Sequence, residues 1–127
     1  MLNPEQCSYS IIMSTEIIGL SHKEREIIAN VVKYNTMVFD ADDALWSFDK
    51  KDYLTIAKLT AILRLSNALD RGHRQKFKKI DVNVENNKLV ITAHTFEDIT
   101  LEKSYFMERV DFFEEVYGLK PVIRRKR

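Results

Sequence analysis

Cysteine, glycine, proline and long apolar runs are all scarce in this sequence. The single cysteine, Cys7, excludes an internal disulfide and suits a reducing cytoplasm. The three glycines, Gly19, Gly72 and Gly118, lie far apart, so no glycine-rich phosphate-binding loop can be built from them. No basic segment followed by an apolar run opens the chain, and no apolar run approaches the length of a membrane span. We therefore expect a cytoplasmic protein with no signal peptide and no membrane contact.

The 127 residues suit one domain, or two small halves that share a core. An apolar fraction of 45% and a charged fraction of 31% are typical of a soluble globular protein. The net charge of +1 conceals local asymmetry, because Arg71–Lys79 and Arg124–Arg127 are basic whereas Asp40–Asp43 and Asp111–Glu115 are acidic. Net charge therefore indicates no particular partner, and only the local charged patches can indicate one.

The first part of the chain has helical periodicity. A short helix is expected over Ser8–Ile18, after a loose lead-in over residues 1–7 and before a stop at Gly19. Ser21 and Glu24 have the spacing of a capping box, in which each side chain bonds to the backbone N–H of the other, and this predicts the start of a second helix. The buried side of that helix is expected to carry Ile27, Ile28, Val31, Val32, Asn35, Val38 and Phe39.

The widest apolar stripe lies in a central helix expected from about Tyr53 to Arg71. Gly72 supplies its break, and Asp49 or Asp52 can cap its start, where negative charge favours the helix dipole. The stripe is wider than a surface helix needs, so we expect this helix to contact neighbours on two sides. It consists of Leu59, Ile62, Leu63, Leu65 and Leu69, with Ala57, Ala61 and Ala68 between them.

After the basic run the apolar period changes from 3.6 to 2, which predicts a β-hairpin. Ile80–Glu85 and Leu89–His94 would be its strands, joined by Asn86-Asn87, since asparagine tolerates the positive φ of a tight turn. A last helix is expected over Thr100–Tyr117 and an edge strand over Lys120–Arg125. The helix has two apolar stripes, one of Leu101, Tyr105, Phe112 and Val116 and one of Phe106, Val110, Phe113 and Tyr117.

This order of elements predicts an α+β fold that is mainly α. A helical half over residues 1–78 would precede a small ββαβ half, over residues 79–127, packed on it. The small half can cover only one of the two stripes of the last helix. Because an exposed apolar patch usually marks an interface, we expect a homodimer.

Several of these segments resemble the C-terminal region of the exopolyphosphatase/guanosine pentaphosphatase (Ppx/GppA) phosphatase family. The resemblance runs in order from about Ser8 to Val122, through LSHKEREIIANVVKYN, KLTAILRLSNALDRGHRQ and ITLEKSYFMERVDFFEEVYGLKPVI. Its most specific part is Ile62–Gln75, which is similar to the family's LRLADALDRSHRQ. The resemblance implies an HD-like helical half followed by a small β-containing half. It also implies that the catalytic nucleotide-fold domains, for which Mg²⁺ is expected, are not part of this chain, and that the chain itself needs no cofactor.

An HD-type phosphohydrolase uses converging histidines and aspartates to hold a divalent metal that activates water. In the resemblance, Asn35 stands where a histidine is expected, and Pro4–Cys7 stands where the family has a histidine-rich stretch. Asp70 is in a ligand-like position, so Asp70 and Asn35 look like vestiges of an HD site. One carboxylate does not hold a catalytic metal, so we expect no metal and no catalytic residue here. A degenerate HD-type hydrolase that still works is the alternative.

The basic run that follows Asp70 is the best candidate for a functional surface. Basic residues after a helix C-terminus interact favourably with the helix dipole and are often only solvated. Arginine guanidinium and lysine ammonium groups, however, also bind phosphate oxygens. The resemblance, to a family that acts on polyphosphate and guanosine tetra- or pentaphosphate, favours a polyanion site. Nucleic acid is not expected, because the run lacks interleaved aromatic residues. The candidate residues are Arg71, His73, Arg74, Lys76, Lys78 and Lys79.

We therefore expect an accessory C-terminal domain of a Ppx/GppA-type phosphatase, either an exopolyphosphatase or a guanosine pentaphosphatase. It would contact polyphosphate or a guanosine phosphate, dimerise, and be catalytically silent by itself. A scaffold module that binds no polyanion is the remaining alternative.

Overall fold

A computed structural model describes residues 4–15, 18–35, 48–70 and 76–127. Over these residues the chain forms five helices and a three-stranded sheet, which confirms an α+β fold that is mainly α. The helices are α1 (Pro4–Ser14), α2 (His22–Tyr34), α3 (Lys50–Leu69), α4 (Thr100–Met107) and α5 (Val110–Tyr117), and the strands are β1 (Lys79–Glu85), β2 (Lys88–His94) and β3 (Lys120–Lys126). None of the helices within these ranges is long and apolar enough to cross a membrane.

The chain groups into two compact units, Met1–Thr60 and Ala61–Arg127, so the boundary falls within α3. The division expected after residue 78 stays a prediction.

In the first unit, α1 begins earlier and ends earlier than the sequence suggested. It starts at Pro4, because proline fits the first turn of a helix, where its missing N–H costs nothing. It ends at Ser14, where the hydroxyl groups of Ser14 and Thr15 donate to the carbonyl of Ile11 at 3.2 and 2.7 Å. The expected lead-in was therefore wrong over residues 4–7, and so was the helix end expected at Ile18.

The capping box at the start of α2 is confirmed. The Glu24 N–H donates to the Ser21 hydroxyl at 3.1 Å, and the Ser21 N–H donates to the Glu24 carboxylate at 3.0 Å. These bonds favour the ionised form, so they hold the pKa of Glu24 below its usual range.

The buried side of α2 is rotated from the expected one. Ile28 is 36% exposed, whereas Asn30 is buried, because its amide donates to the Glu26 carbonyl at 2.9 Å and is thereby satisfied. The expected positions Val38 and Phe39 lie outside the described residues. The buried residues are Ala29, Asn30, Val31 and Tyr34.

Asp49 is the cap of α3, and the helix accordingly starts at Lys50, earlier than expected. The Asp49 carboxylate accepts from the Asp52 N–H at 2.8 Å, which holds the pKa of Asp49 below its usual range. Lys23 of α2 lies 2.6 Å from the Asp52 carboxylate, and this bond raises the pKa of Lys23.

The apolar stripe of α3 is buried mainly at its smaller residues. Leu59 and Ile62, expected in the core, are 43% and 47% exposed. Alanine and threonine allow neighbouring elements to approach the helix closely, and four of the six buried residues of the stripe are of these two types. The buried residues are Ile56, Ala57, Thr60, Ala61, Leu65 and Ala68.

The second unit contains the three-stranded sheet in the order β1-β2-β3. β1 and β2 are antiparallel, and Asn86 and Asn87 have φ of 50° and 62°, which confirms the predicted tight turn. β3 is an edge strand, as expected, and pairs parallel to β2. The core of this unit consists of Ala61, Leu65, Ala68, Ile91, Ile99, Phe106, Val110, Phe113 and Ile123.

The expected last helix is two helices, because the chain breaks at Glu108–Arg109. The Arg109 N–H donates to the Phe106 carbonyl at 3.0 Å instead of the Tyr105 carbonyl that a continuous helix would use. The Arg109 guanidinium donates to the Tyr105 carbonyl at 2.8 Å and so replaces the lost bond. No proline or glycine marks this position, which is why periodicity predicted one helix.

One of the two predicted stripes of this segment enters the core, through Phe106, Val110 and Phe113, while Tyr105 and Phe112 of the other stripe pack against that core and are partly buried. On the other stripe, the guanidinium of Arg109 lies 5.6 Å from the ring centre of Tyr105, and a second arginine lies over Phe112. A row of exposed apolar side chains lies instead on β1, where Ile80, Val82 and Val84 are 43%, 55% and 63% exposed.

Candidate polyanion-binding surface

Half of the predicted polyanion-binding residues lie where the structure describes the chain. Lys76, Lys78 and Lys79 are described, whereas Arg71, His73 and Arg74 lie outside the described residues. The three lysines have different surroundings, which give them different possible roles.

Lys76 is held within the second unit by an ion pair. Its ammonium donates to the Glu102 carboxylate at 2.9 Å and to the Asp98 carbonyl at 2.9 Å. The side chain of Glu102 is only 2% exposed and that of Lys76 is 14% exposed. Since a buried carboxylate needs a partner, Lys76 joins the start of β1 to the start of α4.

Lys78 and Lys79 lie at the start of β1, closer to solvent. The Lys78 ammonium lies 5.2 Å from the centre of the Phe96 ring, a cation–π distance. The side chain of Lys79 is 68% exposed, and its ammonium lies 3.7 Å from the Asp81 carboxylate. Lys79 is therefore available to an anion in solution.

His94 shares Asp81 with Lys79. Its Nε2 atom lies 2.7 Å from the other oxygen of that carboxylate. This hydrogen bond, assisted by the positive charge of Lys79, holds the pKa of Asp81 below its usual range. One anionic carboxylate thus orients two nitrogen-bearing side chains at this end of the sheet.

The parallel pairing of β2 and β3 adds a second basic segment to the same end of the sheet. Lys79 pairs with His94, and His94 pairs with Lys126, so these three side chains share one row on one face. Asp81, Thr92 and Arg124 form the next row on that face.

Neighbouring strands are about 4.8 Å apart, so the two rows form a compact basic face. We call Lys79, His94, Arg124 and Lys126 the basic sheet face. This face carries three permanent cations and one carboxylate, that of Asp81. The lysine and arginine residues are exposed. An arginine fork and two lysine ammonium groups are suited to phosphate oxygens spread along a chain.

The sequence analysis did not predict that these two basic segments lie together, because the hairpin and two helices separate them along the chain. The signal was nevertheless present. A strand that follows a helical crossover pairs beside the preceding strand in the parallel direction, which would have placed Arg124–Lys126 next to the end of β2.

The two positions suggested as HD vestiges occupy ordinary helix ends. Asn35 follows α2 and its N–H donates to the Val32 carbonyl at 3.3 Å, while Asp70 follows α3 and its N–H donates to the Asn67 carbonyl at 3.3 Å. Within the described ranges, no three histidine, cysteine, aspartate or glutamate side chains lie together as metal ligands would. The expectation of a metal-free chain stays a prediction.

Comparison with known proteins identifies the family. The family model for Ppx/GppA phosphatase, domain III, matches residues 3–111, which is most of the chain and includes α1 to α4 and the first two residues of α5. A search among curated proteins found no match. The resemblance of the capping-box helix and of the segment around Asp70 is thereby confirmed, and the chain belongs to the Ppx/GppA phosphatase family, through that family's domain III.

Proposed function

We propose that this chain is an accessory domain of a Ppx/GppA-type phosphatase that holds a polyphosphate or guanosine phosphate substrate and joins two subunits. The match to domain III supports the family context. The observation that carries the binding role is the basic sheet face, where two segments distant in sequence present cations on the same face.

The substrate contact would be electrostatic. A linear polyanion lying across the ends of the three strands would contact Lys79, Lys126 and Arg124 in succession. Arg71 and Arg74, which lie outside the described residues, stay predicted contacts. Lys76 would support the surface through its ion pair, rather than contact the substrate.

Polyphosphate binding should weaken when the basic sheet face loses two cations. For a variant with Arg124→Gln and Lys126→Gln, we expect a dissociation constant larger by up to about thirtyfold at modest ionic strength, since each exposed contact is worth up to about 1 kcal/mol. A plot of the logarithm of the binding constant against the logarithm of salt concentration should become shallower. By analogy with nucleic acids, its slope should decrease in magnitude by about 0.7–0.9 per cation removed. Titration of labelled polyphosphate at several salt concentrations measures both quantities.

The matched control removes two cations elsewhere, through Lys51→Gln and Lys58→Gln on α3, where lysines line a separate groove of about 470 Å³. This variant has the same net charge, so it should bind polyphosphate like the wild type if the basic sheet face is the site. Equal losses in the two variants would show that polyphosphate responds only to net charge. A third variant, with Arg71→Gln and Arg74→Gln, tests whether the path extends along the basic run.

A further inference from the structure

β1 is an edge strand with a free side, judged from the residues that the structure describes. It pairs with β2 on one side, and no described strand pairs with its other side. Its apolar side chains are exposed, as noted above, although they share a face with the buried Ile91 and Ala93 of β2. Such an edge is a template for pairing with another strand.

The other edge of the sheet is protected against pairing. β3 carries Pro121, which lacks the N–H that a ladder needs, and four cations, Lys120, Arg124, Arg125 and Lys126. β1 carries no proline and only one cation, Lys79, together with Asp81 and Glu85. The residues of β3 therefore oppose pairing with another strand, whereas those of β1 allow it.

β1 is complementary to itself in one antiparallel register. If two copies pair with Val82 opposite Val82, Lys79 lies opposite Glu85 twice and Asp81 lies opposite Asn83. Directly opposed side chains in an antiparallel pair are close enough to interact, and opposite charges there are favourable.

The neighbouring symmetric registers are unfavourable. A pairing centred on residue 81 opposes Asp81 to Asp81, and one centred on Asn83 opposes Asp81 to Glu85 twice. Like charges in direct opposition destabilise a pair. The charges of β1 thus favour the register centred on Val82.

An apolar groove lies beside this edge. It has a volume of about 490 Å³, with Ile80 and Val82 on the strand side and Ile62 and Leu69 on the α3 side. A two-fold axis perpendicular to the sheet keeps equivalent faces on the same side, so the grooves of two copies would adjoin along the seam. The exposed apolar row of β1 would then be covered by the same row of the second copy.

We propose that two copies of this chain associate through antiparallel pairing of β1 with β1, centred on Val82, to form one six-stranded sheet. This inference rests on the dimerisation part of the proposed function and specifies its interface. The partner is a second copy because an identical strand in this register opposes Lys79 to Glu85 twice, in addition to the contact that Lys79 makes with Asp81 in its own chain.

Charge exchange tests the register. Lys79→Glu alone would oppose two glutamates at residues 79 and 85, and Glu85→Lys alone would oppose two lysines, so each should weaken the dimer by about tenfold or more. The double variant restores opposite charges and should recover the wild-type dimer dissociation constant. Val82→Lys would place two ammonium groups opposite each other at the centre, and should leave only monomer at tens of micromolar.

Equilibrium sedimentation measures the dimer dissociation constant, and circular dichroism with the thermal midpoint confirms that each variant is folded. Lys120→Glu makes the same charge change on β3 and should leave the dimer intact. A wild-type dimer that all the β1 variants preserve would overturn this interface while leaving dimerisation standing. A wild type that is monomeric at tens of micromolar would overturn both, without bearing on polyphosphate binding.

Discussion

Replacing Lys76 with methionine should lower the free energy of unfolding by about 3–5 kcal/mol. The substitution keeps an apolar stem of similar length but removes the ammonium that lies 2.9 Å from the Glu102 carboxylate. Glu102 is 1% exposed as a residue, so its carboxylate would be left buried without the ammonium group that pairs with it. Urea or guanidinium unfolding followed by circular dichroism gives the free energy directly.

Two further variants separate this ion pair from a general loss of positive charge. Lys79→Met removes an exposed cation three residues away and should change the free energy of unfolding by no more than about 0.5 kcal/mol. A double variant, Lys76→Met with Glu102→Met, removes both charges and should regain most of the lost stability, because a well-packed apolar pair can replace a buried ion pair. A Lys76→Met variant as stable as Lys79→Met would contradict the structural role of Lys76.

This prediction also affects how polyphosphate binding is tested. Lys76 belongs to the basic run, so a variant that removed it together with Arg71 and Arg74 would lose stability as well as charge. Loss of binding would then report on both effects at once. The exposed pair Arg124 and Lys126 is the better choice, since only the binding term should change.

Truncating Phe106 to alanine should destabilise the protein by about 3–5 kcal/mol. Phe106 is fully buried and lies in the core of the second unit with Val110 and Phe113. Removing its ring leaves a cavity next to the break between α4 and α5. There the hydrogen bonds from the Arg109 N–H and guanidinium to the chain limit how far it can relax. The same denaturant unfolding experiment measures the loss.

Leu101→Ala is the matched control, because Leu101 belongs to the other predicted stripe and is 47% exposed. Its loss should be no more than about 1 kcal/mol. If the two truncations cost the same, the assignment of Phe106 to the core and of Leu101 to the surface would be wrong. The comparison therefore decides which stripe of the predicted last helix is buried.

The sequence predicted most element types correctly. The burial of α3 shows what it could not predict. The wide stripe of α3 correctly indicated a helix with a substantial apolar side, but it could not say that the alanines face the core while Leu59 and Ile62 remain half exposed. Periodicity defines a stripe wider than any one neighbour covers. Which part of the stripe is covered depends on elements that are distant in sequence.

The sequence by itself determined features that rest on interactions within a few residues. The capping box of Ser21 and Glu24 and the tight turn at Asn86-Asn87 are of this kind, because their hydrogen bonds and backbone angles are local. For the cap of α3 the sequence left Asp49 and Asp52 open, and the structure shows Asp49. Only the tertiary structure decided that Lys76 pairs with Glu102, 26 residues away, and that β3 brings Arg124 and Lys126 beside β2. Such contacts depend on how the chain closes its long loops and on which neighbour desolvates each side chain, and neither is contained in a local pattern.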